Sequence, residues 1–293
     1  MPREDLHNIK YSLSAVLKAA RLGNIATLLF TQLLAFVSLR PDLTSLAYSH
    51  ELPLFVFAQV LIAAGGYIIN DYFDIKIDAI NKPSGLVVGK TFPPRWAMAT
   101  HVVLNAIAVG IAAYIDPKIG GCFLLISFLL LYYSASLKRK FLLGNLLVAL
   151  LMGSSILILL LLDDALLLPW ILFYAGFAFY TGLTREIIKD VEDMEGDKAF
   201  GCKTLPIVKG YPFTRRLLVV MKMGLFVLLL VASGVFWAVG APFSALYFMA
   251  LTVPLALIAV YVRRADTKKE FTNISRAFKL FILAGIISMA IKI

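Results

Sequence analysis

The sequence predicts an all-α polytopic membrane protein: nine transmembrane helices in a bundle of two four-helix halves plus one, with a central cavity open to the cytoplasmic side and laterally to lipid. Three observations lead there. Of 293 residues, 60% are hydrophobic and only 16% charged, and the mean hydropathy of +0.86 exceeds that of ordinary soluble domains. Nine apolar runs each approach the roughly 20 residues needed to cross a hydrocarbon layer of about 30 Å. An acidic motif then recurs four spans apart, at the same membrane face.

Taken in order, the expected spans cover about 22 to 39, 53 to 70, 97 to 115, 119 to 137, 142 to 162, 167 to 185, 217 to 238, 243 to 262 and 276 to 291. Ahead of them, Leu6 to Leu22 alternates apolar positions with Lys10, Lys18 and Arg21, as an interfacial amphipathic helix does. This leading segment lacks the basic start, apolar middle and small-residue cleavage site of a signal peptide, so no cleavage is expected. With these spans, 25 of the 28 Lys and Arg fall on one side, and only Arg40, Lys118 and Lys292 on the other. The positive-inside bias makes the cationic side cytoplasmic, which puts the N-terminus inside and the C-terminus outside a cell (inner) membrane. The net charge of +10 therefore reports topology rather than a nucleic-acid partner. Trp96, Trp170 and Trp237 fall near span ends as interfacial anchors. Cys122 and Cys202 lie in different environments without His neighbours and suggest neither a disulfide nor a zinc site. No low-complexity linker divides the chain, and residues 1–293 read as a single domain.

The second span ends in Asn70-Asp71-Tyr72-Phe73-Asp74-Ile75-Lys76-Ile77-Asp78, and Asp190, Asp193 and Asp197 repeat the spacing of Asp71, Asp74 and Asp78 with an offset of 119 residues. Steps of three and four residues turn an α-helix by about 300° and 400°, so each trio is expected on one helix face, with Asn70 beside the first. Unpaired carboxylates that close repel one another, and hard divalent cations such as Mg²⁺ relieve this with all-oxygen coordination. The two trios, one in each half, are expected to face each other across one cavity. Glu186 lies on the arc of the second trio, as a fourth ligand or a partner for a Lys, whereas Glu192 and Glu195 point elsewhere.

Basic residues flank both motifs: Lys82 and Lys90 after the first, Lys138, Arg139 and Lys140 after the fourth span, and Lys189 and Lys203 around the second. A diphosphate held by two metals still needs such cations, as phosphoryl-transfer sites do. A greasy group on a metal-bound diphosphate leaves as an allylic cation, which aromatic faces stabilise; Tyr67, Tyr72, Phe73, Tyr132, Tyr133 and Tyr180 lie near cytoplasmic span ends.

At these residues the chain resembles the UbiA-type intramembrane prenyltransferases, whose signatures are an Asn-Asp-x-x-Asp-x-x-x-Asp run and a second Asp-rich helix end after the sixth span. Further matches are Arg21 and Asn24 before the first span, Gln32 inside it, and Tyr133, Ser134, Lys138, Gly144 and Asn145 around the fourth loop. The wording of both motifs looks most like the digeranylgeranylglyceryl phosphate synthase branch. The resemblance implies a prenyl diphosphate held through two Mg²⁺ by Asp71, Asp74, Asp78, Asp190, Asp193 and Asp197, with Lys138 on the leaving group. It further implies substrate contacts from Asn70, Arg21, Asn24, Lys82, Tyr133, Ser134, Lys189 and Lys203, and a prenyl chain in a lipid-facing tunnel. The acceptor would be lipophilic or phosphate-bearing, of (geranylgeranyl)glycerol phosphate type. Relatives commonly carry an Arg shortly after Lys82-Pro83, where this chain reads Ser84-Gly85-Leu86-Val87. That departure leaves open an aromatic acceptor such as 4-hydroxybenzoate or a dihydroxynaphthoate.

Two other classes fit less well. Phosphatidyl-alcohol transferases need their acids in one compact run with Gly and Ala-Arg between them, which this chain lacks. A cation transporter would place ion ligands near mid-membrane in interrupted spans, not at span ends.

Overall fold

The computed structural model describes residues 13–41 and 51–291, and all of its regular elements are helical. The first part of the expected amphipathic segment, with Lys10, lies outside the described residues, as does Lys292. The rest of that segment contains α1 (Leu13–Ala19), and the chain continues through α2 (Leu22–Ser38), α3 (Glu51–Asn81), α4 (Pro94–Ile115) and α5 (Pro117–Ala135). Next come α6 (Leu143–Leu157), α7 (Leu159–Leu162), α8 (Leu168–Glu192), α9 (Met194–Ala199) and α10 (Leu205–Lys209), and finally α11 (Tyr211–Ala238), α12 (Pro242–Arg264) and α13 (Lys268–Ile287).

Local chemistry sets many of these boundaries. Proline opens α4 and α5, where a missing N–H costs nothing. The Asp116 side chain caps α5 by accepting from the Lys118 N–H at 2.6 Å. Thr267 and Glu270 close a reciprocal capping box on α13.

Seven helical segments among the described residues are long and apolar enough to cross a membrane: α3, α4, α5, the α6–α7 stretch Leu143–Leu162, α11, α12 and the stretch Lys268–Ala290. The expected count of nine is thus met only in part. At 17 residues α2 is shorter, and α8 has the length but not the apolar content, because Trp170, Tyr174, Tyr180, Thr181 and Thr184 interrupt it.

The chain divides into two compact units. Residues 1–33, 42–138 and 158–165 make the first, and residues 34–41, 139–157 and 166–293 the second. Within the first, α3 packs against α4 and α5, and α4 packs against α5. The most apolar stretch of α3 is 61% buried against 22% for those of α4 and α5, so α3 is the interior helix and the other two turn most of their apolar surface outward. α1 covers the far end of α3, with Ala15 and Ala19 packed among Ile68, Val88, Phe92 and Ala97. Within the second unit, α11 packs on α12, α6 on α8, and α8 and α12 on α13, around a core that runs from Phe177 through Leu225 and Phe248 to Phe278. Trp170 stacks on Phe236 at 4.9 Å between ring centres, so it serves packing rather than the expected anchoring, while Trp96 and Trp237 remain exposed.

Candidate active site

The first acidic motif sits on α3, which continues without interruption through Asn81, well past the expected end of the span at residue 70. One helix therefore carries Asn70, Asp71, Asp74 and Asp78 along a common side. Asp74 is 4% exposed. Its Oδ2 accepts from Asn70 Nδ2 at 2.9 Å and also from the ammonium of Lys138. Lys138 lies in the 3-10 turn Leu137–Arg139 just beyond α5, and its Nζ stands 3.4 Å from Asn70 Oδ1 as well. Asn70 thus bridges the pair, donating to the acid and accepting from the base. Asp71 Oδ1 accepts from Arg21 Nη2 at 2.8 Å, and the Arg21 guanidinium also lies over the Tyr67 ring, 5.1 Å from its centre. Arg21 adopts a backbone φ of 55°, a left-handed conformation that costs a residue with a side chain about 1–2 kcal/mol. Strain of this kind persists where its surroundings hold it, and here it joins α1 to α2 with the guanidinium aimed at the motif.

The other residues expected around this motif are placed less intimately. Lys82 donates its backbone N–H to the Asp78 carbonyl at 2.8 Å and lies within electrostatic reach of the Asp78 carboxylate. Asn24 is tied by its backbone N–H to the Arg21 carbonyl at 2.8 Å. Ser134 is buried, and its hydroxyl donates to the Leu130 carbonyl of its own helix at 2.9 Å, while Tyr133 is half-buried one residue before it.

In the second unit the expectation of a single helical face needs correction. α8 ends at Glu192, Asp193 caps it, and α9 starts at Met194, so Asp190 lies on one helix, Asp193 at the joint and Asp197 on the next. At this joint the Asp193 backbone N–H closes α8 on the Lys189 carbonyl at 2.9 Å, and its side chain makes no capping bond to the start of α9. Asp190 lies beyond the apolar stretch of α8, and its Oδ2 accepts from Asn145 Nδ2 at 3.0 Å. Burial pushes the Asp190 carboxyl up to about 8, against the lowering effect of the Asn145 bond. Glu186 pairs with Arg185 at 3.4 Å rather than with a Lys. Lys189 lies in electrostatic reach of Asp190, and the Lys203 side chain is exposed while its N–H donates to the Arg139 carbonyl at 2.8 Å.

Asp197 is held by the way α9 ends. Gly201 takes φ 70°, its N–H reaches the Lys198 carbonyl at 3.2 Å, and the Cys202 N–H reaches the Asp197 carbonyl at 2.9 Å. These two bonds form a Schellman motif, which needs the left-handed conformation that glycine adopts without penalty. Asn145 was not among the expected substrate or metal residues. Its signal was an amide in the first turn of the otherwise apolar α6.

Among the described residues, no three carboxylate, imidazole or thiol side chains converge closely enough to hold a metal ion as they stand. The donor chemistry nonetheless fits Mg²⁺: each motif offers hard carboxylate oxygens, with the Asn70 amide oxygen at the first. Cations occupy two of those carboxylates, Arg21 on Asp71 and Lys138 on Asp74.

Comparison with known proteins finds relatives in both sequence and fold. A digeranylgeranylglyceryl phosphate synthase of Ignicoccus hospitalis is 32% identical over 239 residues, covering 78% of this chain and 77% of that protein. One from Methanothermobacter thermautotrophicus is 30% identical over 235 residues, covering 79% and 81%. In fold, a solved structure of digeranylgeranylglyceryl phosphate synthase in membranes matches with a TM-score of 0.68 at 21% identity, over 94% of this chain and 96% of that one. A UbiA homolog from Archaeoglobus fulgidus bound to GPP and Mg²⁺ matches with a TM-score of 0.61 at 19% identity, over 94% and 99%. The model of the UbiA prenyltransferase family matches residues 13–285. The chain therefore belongs to the UbiA prenyltransferase family and is a multi-pass membrane protein.

Proposed function

We propose that this protein transfers a prenyl group from a prenyl diphosphate to a glycerol phosphate-type lipid acceptor, with Mg²⁺ on the diphosphate, as a digeranylgeranylglyceryl phosphate synthase does. The observation that carries the reading is the Lys138 ammonium set on Asp74 and Asn70 in a motif whose remaining donors are carboxylates. Relatives of that name match this chain over most of its length, and a structural neighbour is bound to GPP and Mg²⁺.

The residues have separable tasks. Asp71, Asp74 and Asp78 on the first motif, and Asp190, Asp193 and Asp197 on the second, would hold two ions, whose contribution would be positive charge to balance the negative charge of the leaving diphosphate. Lys138 would be free, once an ion took the Asp74 carboxylate, to place its ammonium on the departing phosphate oxygens, where charge develops. Arg21 could likewise turn from Asp71 to the diphosphate, while Asn70 keeps the Asp74 carboxylate oriented. Lys82, Lys189 and Lys203 add positive potential around the motifs, and Asn24, Tyr133 and Ser134 line the approach of the substrates. On this reading both motifs serve one diphosphate at the cytoplasmic face, with the N-terminus on that side and the C-terminus on the other, and residues 1–293 work as one domain.

The test is mass spectrometry of products from purified protein supplied with prenyl diphosphates of several lengths and with geranylgeranylglycerol phosphate, 4-hydroxybenzoate and dihydroxynaphthoate as competing acceptors. A doubly prenylated glycerol phosphate is the expected product, formed only with Mg²⁺. An aromatic product would move the assignment to quinone biosynthesis, and no prenylated product from any acceptor would refute it.

A further inference from the structure

Below the first acidic motif, three helices are joined at two consecutive glycines. Gly65 and Gly66 lie on α3, about one turn before Asn70. On one side, α4 brings two buried polar residues, His101 and Asn105, spaced one turn apart. His101 Nδ1 lies 3.0 Å from the Gly65 carbonyl oxygen. A carbonyl oxygen only accepts, so this contact requires Nδ1 to carry the hydrogen. Asn105 Nδ2 lies 3.0 Å from the same ring nitrogen, where with Nδ1 protonated it makes no hydrogen bond; it donates instead to the His101 carbonyl at 2.7 Å, which packs the amide beside the ring. A methyl group on Gly65 would stand 2.5 Å from Asn105 Nδ2, so any side chain at residue 65 would force the Asn105 amide to shift. On the other side, α5 brings Leu130, whose methyl carbons would lie 3.0 and 3.3 Å from a Cβ on Gly66.

The spacing links these contacts to the site. Asp74 is eight residues after Gly66 (74−66) and Lys138 is eight after Leu130 (138−130), and the two pairs meet in the same order along parallel helices. On α3 eight residues of helix are about 12 Å, whereas on the other side α5 runs from Leu130 only to Ala135, and Lys138 follows in the 3-10 turn Leu137–Arg139. An axial slip of α3 against its neighbours at the glycines therefore moves Asp74 relative to the turn that carries Lys138. Packing alone resists slip weakly on a smooth apolar surface, whereas a hydrogen bond to one chosen carbonyl in a low-dielectric interior specifies a single register.

We propose that His101, packed beside Asn105 and closed on the Gly65 carbonyl, is a positioning residue that fixes the register of α3 against α4 and, through the packing of α4 on α5, helps place Asn70 and Asp74 on Lys138. What the site does with that register rests on the prenyl-transfer reading above, but the clamp itself does not.

The experiment uses the full chain in detergent or nanodiscs with Cys122→Ala and Cys202→Ala, spin-labelled at Lys76→Cys on α3 and Ala135→Cys on α5, both exposed positions. Pulsed EPR reads the distance distribution in the presence of His101, in His101→Leu and in His101→Gln, whose amide can still donate to Gly65. Steady-state assays on unlabelled variants read kcat and the Mg²⁺ half-saturation. His101→Leu should broaden or shift the distribution, lower kcat roughly tenfold or more, as lost orienting contacts around metal ligands do, and raise the Mg²⁺ requirement. His101→Gln should restore most of all three. A distribution in His101→Leu identical to that of the parent overturns the proposal whatever the activity does, and so does a His101→Gln variant as impaired as His101→Leu. Should His101→Leu fail to fold, Asn105→Ala carries the same readouts in the same direction, and an unchanged distribution there refutes the clamp. If no variant, including the parent, transfers a prenyl group, the functional reading fails while the distances still decide the clamp.

Discussion

Replacing Lys138 with Met separates two roles of one ammonium. In the metal-free protein Lys138 is the charged partner of Asp74, with side-chain exposures of 16% and 6%. Removing one member of a pair buried to this degree leaves a carboxylate without counter-charge, which costs about 3–5 kcal/mol. The Asn70 donor at 2.9 Å remains, which holds the loss near the lower figure. Mg²⁺ on Asp74 would supply the missing charge, so the destabilisation should appear in chelator and shrink when the ion is added. Turnover should not recover in parallel. A cation that meets charge developing on the leaving group contributes about 2.7–4 kcal/mol, which at 1.36 kcal/mol per decade corresponds to roughly a hundredfold to a thousandfold in kcat. The assay pairs melting temperature, measured with and without Mg²⁺, with initial rates at saturating prenyl diphosphate. A Lys138→Met protein that melts like the parent in chelator and turns over within about twofold of it refutes both roles.

Three further outcomes rest on single features. The Asp190 carboxyl, raised to about 8 from 3.8, lets the native state bind more protons than the unfolded chain between those values. Metal-free stability should therefore fall as pH rises through that window, and Asp190→Asn should flatten the dependence; an equally steep profile in the variant contradicts the assignment. Lys222 on α11 is 1% exposed, and its Nζ has no hydrogen-bond partner among the described residues and lies 4.0 Å from the centre of the Phe278 ring. Lys222→Met should fill the same space without a buried ammonium and leave activity intact with equal or higher thermal stability, whereas a large loss of turnover would give Lys222 a functional task. Gly201→Ala should destabilise by about 1 kcal/mol or more through its left-handed backbone, read as a lower melting temperature, and an unchanged melt would argue against the Schellman end of α9.

The sequence carried the class of fold and the chemistry of the site further than their geometry. Hydropathy placed most of the membrane helices, yet α2 and α8 fell below the threshold for a spanning helix because length and apolar content are separate requirements. Spacing alone located the first acidic motif on one helix. It did not reveal that the second is broken at Asp193, because three- and four-residue steps look the same whether the backbone runs on or turns at a capping Asp. Lys138 was legible as a nearby cation, but its choice of Asp74 over the other acids depends on the packing of α3 against α5, where Leu130 lies close on Gly66 in a region that reads as plain apolar span. Asn145 was visible as a match to relatives, whereas its bond to Asp190 arises from tertiary packing of α6 on α8.

The central claim is that the two acidic motifs act together on one metal-bound diphosphate. Its most direct test is Mg²⁺-dependent turnover of Asp71→Ala, Asp190→Ala and the double variant, each checked for an intact fold. Residues that work as a unit are strongly non-additive, so each single change should cut turnover by about a hundredfold or more while the double variant is little worse than the poorer single one. Near-normal rates in both single variants, or full turnover of the parent protein in excess chelator, would contradict the account.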